Sequence, residues 1–171
     1  MKRLFWVSIV LILLLSSCAN VTAVAEGDST SSSYLLSLLE TEENRETRYN
    51  YIYALYTEGE YEKVIAEAAL AYEMYPEYTR FLKIKALAEK KTGRDELYSE
   101  TLGLVISKEG YDEDLRNLYL ESLLTLGERE RALEFSKETI ALYPENREAL
   151  TLLSENSRFY SWLLTTLDDG E

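Results

Sequence analysis

From about residue 45 onward, apolar residues recur at helical intervals. Val64, Ala68, Ala71 and Tyr72 stand at i, i+4, i+7 and i+8, and Tyr98, Leu102, Val105 and Ile106 repeat those intervals. Such spacing gathers them on one face of an α-helix. A later stripe of Ala149, Leu153, Tyr160, Leu163 and Leu167 predicts one amphipathic helix over 147–167. Residues 33–40 carry a short apolar run that predicts another helix, with serines at 31–33 placed to cap its first turn.

The first 33 residues follow a different pattern. Lys2 and Arg3 precede an apolar run over 4–15, broken only by Ser8. Twelve helical residues span about 18 Å, short of the roughly 30 Å hydrocarbon core. The run therefore reads as the apolar region of a secretory leader rather than a membrane span. Residues 19–33 are small and polar with no stripe, a flexible tether. Its r.m.s. reach is about 21 Å.

Glycine and proline divide the remainder regularly. Gly59, Gly93 and Gly127 are 34 residues apart, and Pro76 and Pro144 each follow a glycine by 17. Glycine can adopt the left-handed conformation that ends one helix, and proline stops the next. Small residues at Ala54, Ala71, Ala88 and Ala132 allow helices to approach closely. One helix pair cannot bury its apolar side alone, whereas stacked pairs share a continuous core.

This period, with Ala54, Gly59, Tyr61, Ala71 and Pro76 in the first copy, resembles the tetratricopeptide repeat (TPR), a 34-residue helix-turn-helix. The second copy has Asp95 at the turn-tyrosine position and Gly110 in place of proline, and the third has Arg129 for that tyrosine. The resemblance implies an all-α solenoid of about three repeats, 45–78, 79–112 and 113–146, with a helical cap at each end. It places this array in a domain over 33–171. The cap over 147–167 takes the place of a fourth helix A. Separately, Leu15-Ser16-Ser17-Cys18 resembles the lipobox of bacterial lipoproteins. That implies cleavage between Ser17 and Cys18 and acylation of Cys18, giving a signal peptide over 1–17 and a lipid-anchored tether over 18–32. Ala19 rather than Asp after the cysteine resembles outer-membrane sorting, with the protein facing the periplasm.

Charge and chemistry narrow the function. The chain has 31 acidic and 18 basic residues, net −13. Beginning at Cys18, it would lose Lys2 and Arg3 and become more acidic. Such a surface repels nucleic acid and anionic headgroups. There is no histidine, and Cys18 is the one cysteine, so the commonest general base and zinc ligand are missing. We expect no enzyme activity, no metal and no cofactor.

TPR arrays bind partners on the face lined by their A helices, at the second, fifth, ninth and twelfth positions of each repeat. Carried onto this sequence, these are Tyr49, Tyr53 and Tyr56, then Arg80, Lys83, Leu87 and Lys90, then Asn117 and Glu121. The family's clamp for a C-terminal carboxylate needs Lys and Asn where Tyr49 and Tyr53 stand, so it is not expected. A tyrosine ladder beside a basic strip suits a peptide with acidic and apolar groups. The alternative is that the tyrosines pack between helices and the cations balance nearby glutamates. Leu152, Phe159 and Trp162 form a second candidate surface, either a homo-oligomer contact or a strip folded back on the third repeat. The expected function is a scaffold or adaptor binding another protein or peptide of the cell envelope, tethered to the membrane through lipid on Cys18. The alternative is a small-ligand or solute-binding accessory of a transport system.

Overall fold

The computed structural model describes residues 31–109 and 112–168. The leader, Cys18, Gly110 and all but the end of the tether lie outside the described residues. Within them are nine α-helices and no strand. They are α1 (Ser32–Leu39), α2 (Arg45–Thr57), α3 (Tyr61–Met74), α4 (Arg80–Lys91), α5 (Asp95–Lys108), α6 (Glu113–Thr125), α7 (Arg129–Leu142), α8 (Arg147–Ser154) and α9 (Arg158–Asp168). Sequential helices pack on one another along the chain, an all-α helix-turn-helix solenoid.

The glycine spacing becomes geometry at three equivalent turns. Gly59, Gly93 and Gly127 have φ of +81°, +71° and +73°. In each turn the glycine N–H and the next N–H reach back to carbonyls of the preceding helix. In the first they are Gly59 to Tyr56 at 3.1 Å and Glu60 to Leu55 at 2.9 Å. This paired closure satisfies carbonyls that a helix end otherwise leaves open. The helices after these turns, α3, α5 and α7, start without a side-chain cap.

Three of the A helices, α2, α6 and α8, are capped instead by side chains, whereas α4 starts at Thr79 without one. Asn44 Oδ1 accepts from Glu46 and Thr47 N–H, Asp112 from Leu115 N–H, and Asn146 from Ala149 N–H. Ser31 does the same for α1, whose Ser32 N–H and Oγ donate to the Glu58 carboxylate at 2.8 and 2.6 Å. That contact fastens the first helix to the end of α2. Helices α3 and α7 end two residues before Pro76 and Pro144, with Tyr75 and Tyr143 turned out of helical geometry as a following proline favours.

The core is divided. One cluster joins α1 to α4 around Ile52, Val64, Ala68, Ala71, Phe81 and Ala88. A second joins α6, α7 and α8 through Leu120, Leu123, Ala132, Ala149 and Leu152. A smaller cluster, Ala86, Tyr98 and Leu102 with Leu115, Leu118 and Tyr119 against it, connects them. Polar contacts share that connection: Ser122 Oγ lies 3.0 Å from Ser99 Oγ, and Lys85 reaches the buried Glu89 and Thr101 at 2.5 and 2.9 Å.

The chain end differs from the expectation of one helix over 147–167. Two antiparallel helices form, α8 and α9, broken at 155–157. Ser154, Asn156 and Ser157 are poor in helix interiors because their side chains compete for backbone groups. Ser154 Oγ already donates to the Thr151 carbonyl at 2.7 Å. An Arg147–Asp168 ion pair joins the start of α8 to the end of α9. The terminal unit is thus a shortened fourth hairpin, not a lone capping helix. Ala149 and Leu153 are buried, while Tyr160, Leu163 and Leu167 are only half-buried because α9 packs on one side.

Candidate binding face of the A helices

Helices α2, α4, α6 and α8 begin their repeats, and α2 packs on α4 as α6 packs on α8. The side shared within each of these two pairs carries the positions expected to meet a partner. In the first repeat the tyrosines divide. Tyr49 and Tyr56 are half-buried against the first core. Tyr49 meets the edge of Tyr78 at 6.1 Å, and Tyr56 meets Tyr61 at 5.4 Å. Tyr53 stacks on Tyr49 at 6.3 Å and stays 53% exposed. Leu87, on α4, is 47% exposed.

Each cation of the basic strip has a carboxylate beside it. Arg80 lies over the Tyr49 ring at 3.9 Å, donates to Tyr78 Oη at 2.7 Å and sits 3.7 Å from Glu46. Lys83 binds Glu109 at 2.6 Å and approaches Asp112 at 3.9 Å. Burial pushes the Glu109 carboxyl up, but hydrogen bonds from Lys83 and Thr79 outweigh it and hold the group below its ordinary range. Lys90 lies 3.9 Å from Glu121 and 5.2 Å from the Tyr98 ring. Burial, reinforced by a hydrogen bond to Glu46, raises the Tyr78 hydroxyl. The cations on which an acidic partner would depend are therefore largely engaged within the protein.

Open space lies further along the same face. A cavity of about 430 Å³ sits between α6 and α8. Leu120, Leu124 and Leu152 supply its apolar part, and Glu121, Glu148 and Glu155 its carboxylates. Asn117, Arg147 and Thr151 complete the lining. Asn117 is oriented from behind, since Asn146 Nδ2 donates to its Oδ1 at 2.8 Å and to Glu113 Oε1 at 2.8 Å. Asn146, 1% exposed, thus caps α8 and ties it to α6.

Of the expected positions, Asn117 and Glu121 line this cavity, while the tyrosines, Arg80, Lys83, Leu87 and Lys90 lie in the first two repeats. The positions not named from sequence are legible in hindsight. The register of the earlier repeats puts Leu124 at the twelfth position of the third. Continued from Arg147, it falls on Glu148, Thr151 and Glu155.

The second surface is corrected at Leu152. This residue is 5% exposed and belongs to the core of α6, α7 and α8. The break at 155–157 resets the helical phase, so Leu152 and Phe159 no longer share a side. Phe159 and Trp162 remain 61% and 62% exposed, with ring centroids 6.3 Å apart. Among the described residues, no cluster of acidic or cysteine side chains could hold a metal ion, and no helix is long and apolar enough to cross a membrane.

No protein-family model and no curated protein sequence matches the chain. Among solved structures it is similar to MamA, a TPR-like all-helical protein. A MamA AMB-1 structure superposes with a TM-score of 0.64 at 14% identity, covering 82% of both chains. The MamA RS-1 ArsTM double mutant gives 0.63 at 15% identity, over 81% of this chain and 82% of that one. MamA 41-end from Desulfovibrio magneticus RS-1 gives 0.60 at 16% identity with the same coverage. At these identities the likeness concerns the fold, and the fold of this chain is a TPR-like helical array.

Proposed function

We propose that this protein is a TPR-type protein-interaction scaffold, held at a bacterial cell envelope by lipid on Cys18 and facing away from the cytoplasm. The cavity between α6 and α8 carries the reading, because it opens at the register positions through which such arrays bind partners. Leu124, 40% exposed, offers apolar contact area over the buried Leu120 and Leu152, and the polar lining offers orientation, the composition of a recognition surface. Catalysis has no support from the residue inventory: histidine is missing from the sequence, and the lone cysteine stands in the lipobox-like segment. A solute carrier of this fold would be favoured by a deep apolar pocket lined by tyrosine, and no tyrosine lines this cavity.

Two measurements test the proposal. A photo-crosslinking residue at Leu124 in living cells should give a defined protein adduct, and one at Glu138 on α7 should not. Equal labelling from both positions, or none from Leu124, refutes the scaffold reading. Mass spectrometry of the mature N-terminus should find a chain starting at an acylated Cys18. A start elsewhere, or an unmodified Cys18, refutes the anchor.

A further inference from the structure

We infer that the cavity between α6 and α8 takes an extended peptide segment in which a large apolar residue is flanked by lysine or arginine. This rests on the scaffold reading and adds the chemical class of the partner. Leu120, Leu124 and Leu152 form the apolar part of the lining, and Leu124 is still 40% exposed. Leu120 and Leu152 are already buried, so an apolar group seated here removes mainly Leu124 from water, the term that drives such contacts.

The charge of the lining selects what flanks that group. Three carboxylates, Glu121, Glu148 and Glu155, stand against one cation, Arg147. Arg147 pairs with Asp168, Glu155 with Arg129, and Glu121 lies 3.9 Å from Lys90. With these partners counted, four carboxylates face three cations, and the excess of one falls on Glu148, in a chain of net charge −13. An acidic segment would meet like charge there, whereas a basic one is steered in and held.

Helix geometry sets the spacing. Glu148 and Glu155 are seven residues apart, and Glu155 keeps right-handed helical angles at the end of α8. Seven residues rise about 10 Å. Three residues of polyproline II chain cover about 9 Å and bring positions i and i+3 to one side. Cations three positions apart thus reach Glu148 and the Arg129-paired Glu155, with an intervening apolar residue turned toward Leu124. The basic strip of the first two repeats takes no part, because Arg80 and Lys83 do not line this cavity and sit beside Glu46, Glu109 and Asp112 instead.

The test uses the full chain purified in detergent and three fluorescein-labelled peptides followed by anisotropy: Gly-Lys-Leu-Ser-Lys-Gly, Gly-Glu-Leu-Ser-Glu-Gly and Gly-Lys-Ser-Ser-Lys-Gly. The first should bind best and weaken as salt is raised. Glu148→Lys should weaken it about tenfold, because an attractive contact becomes repulsive. The same variant should improve binding of the acidic peptide. Leu124→Ser should weaken the first peptide, and Lys83→Gln should leave it unchanged. Equal or tighter binding of the acidic or the leucine-free peptide overturns the inference, as does indifference to Glu148→Lys. If the acidic peptide binds and Leu124→Ser abolishes that binding, the charge assignment fails while the scaffold reading stands. Failure of all three peptides also overturns the inference. The Leu124 crosslink then decides separately whether the scaffold reading falls with it.

Discussion

One substitution, glycine to alanine, should have opposite effects at two positions of this chain. Gly93 closes the turn between α4 and α5 at φ +71°, and a Cβ built there meets no atom within 4 Å. Any cost of Gly93→Ala is therefore conformational. Holding an L-residue in the left-handed region costs roughly 1–2 kcal/mol. Alanine also loses less backbone freedom on folding, which returns roughly 0.4–1 kcal/mol. The net should be a destabilisation of about 1 kcal/mol, near 3 °C in Tm for a domain of this size. Gly103 lies inside α5, where a Cβ would meet Tyr119 Oη at 3.4 Å and its ring carbons at 3.5 Å, ordinary van der Waals distances. Gly103→Ala should then stabilise by about 0.5–1 kcal/mol, the interior-helix difference between the residues. Urea unfolding followed by far-UV circular dichroism measures both on the same chain. Gly93→Asn should cost less than Gly93→Ala, because asparagine tolerates the left-handed region better. If Gly93→Ala is neutral, or both alanine variants shift stability in the same direction, the account of the 34-residue glycine spacing is wrong.

Asn146→Ala removes the cap of α8 and two hydrogen bonds to α6 at a buried site; unfolding should show a loss of about 2–3 kcal/mol, with hydrogen exchange rising first in α8. Arg48 hydrogen-bonds the Glu43 carboxylate and holds it below its ordinary range. That contribution is present above the unfolded glutamate value, about 4.3, and is lost as pH falls through the lower folded value. A pH series should therefore show Glu43→Gln less stable than wild type at pH 7, with the gap closing toward acid. Arg80 over Tyr49 should give a coupling of about 0.5–1 kcal/mol in a double-mutant cycle of Arg80→Met and Tyr49→Leu. A coupling near zero would mean that the contact only fills space.

The repeat architecture was legible in the sequence because its signals are local. Gly59, Gly93 and Gly127 each meet a backbone requirement within their own turn. Stripes such as Val64, Ala68 and Ala71 need only helical periodicity to find one face, and all three are buried. Pro76 and Pro144 act on the residues just before them. The single helix expected over 147–167 failed at a local feature too weak to rank from sequence, the polar segment around Asn156. Its break changed the phase of Phe159 and Trp162 beyond it, while Leu152, before it, is buried against α6 and α7.

The candidate site was less legible, because repeat register marks a face without saying which part of it is open. That depends on side chains far apart in sequence. Lys83 is engaged by Glu109 and Asp112, Arg80 by Glu46, and Tyr49 is covered by Arg80. None of those pairings follows from helical spacing. Sequence alone thus determined the helix type, the turns and the 34-residue stacking period, since these are settled within a few residues of chain. Tertiary structure alone decided where the stack leaves room between α6 and α8, and that carboxylates outnumber cations in its lining, because long-range packing chooses which charges meet.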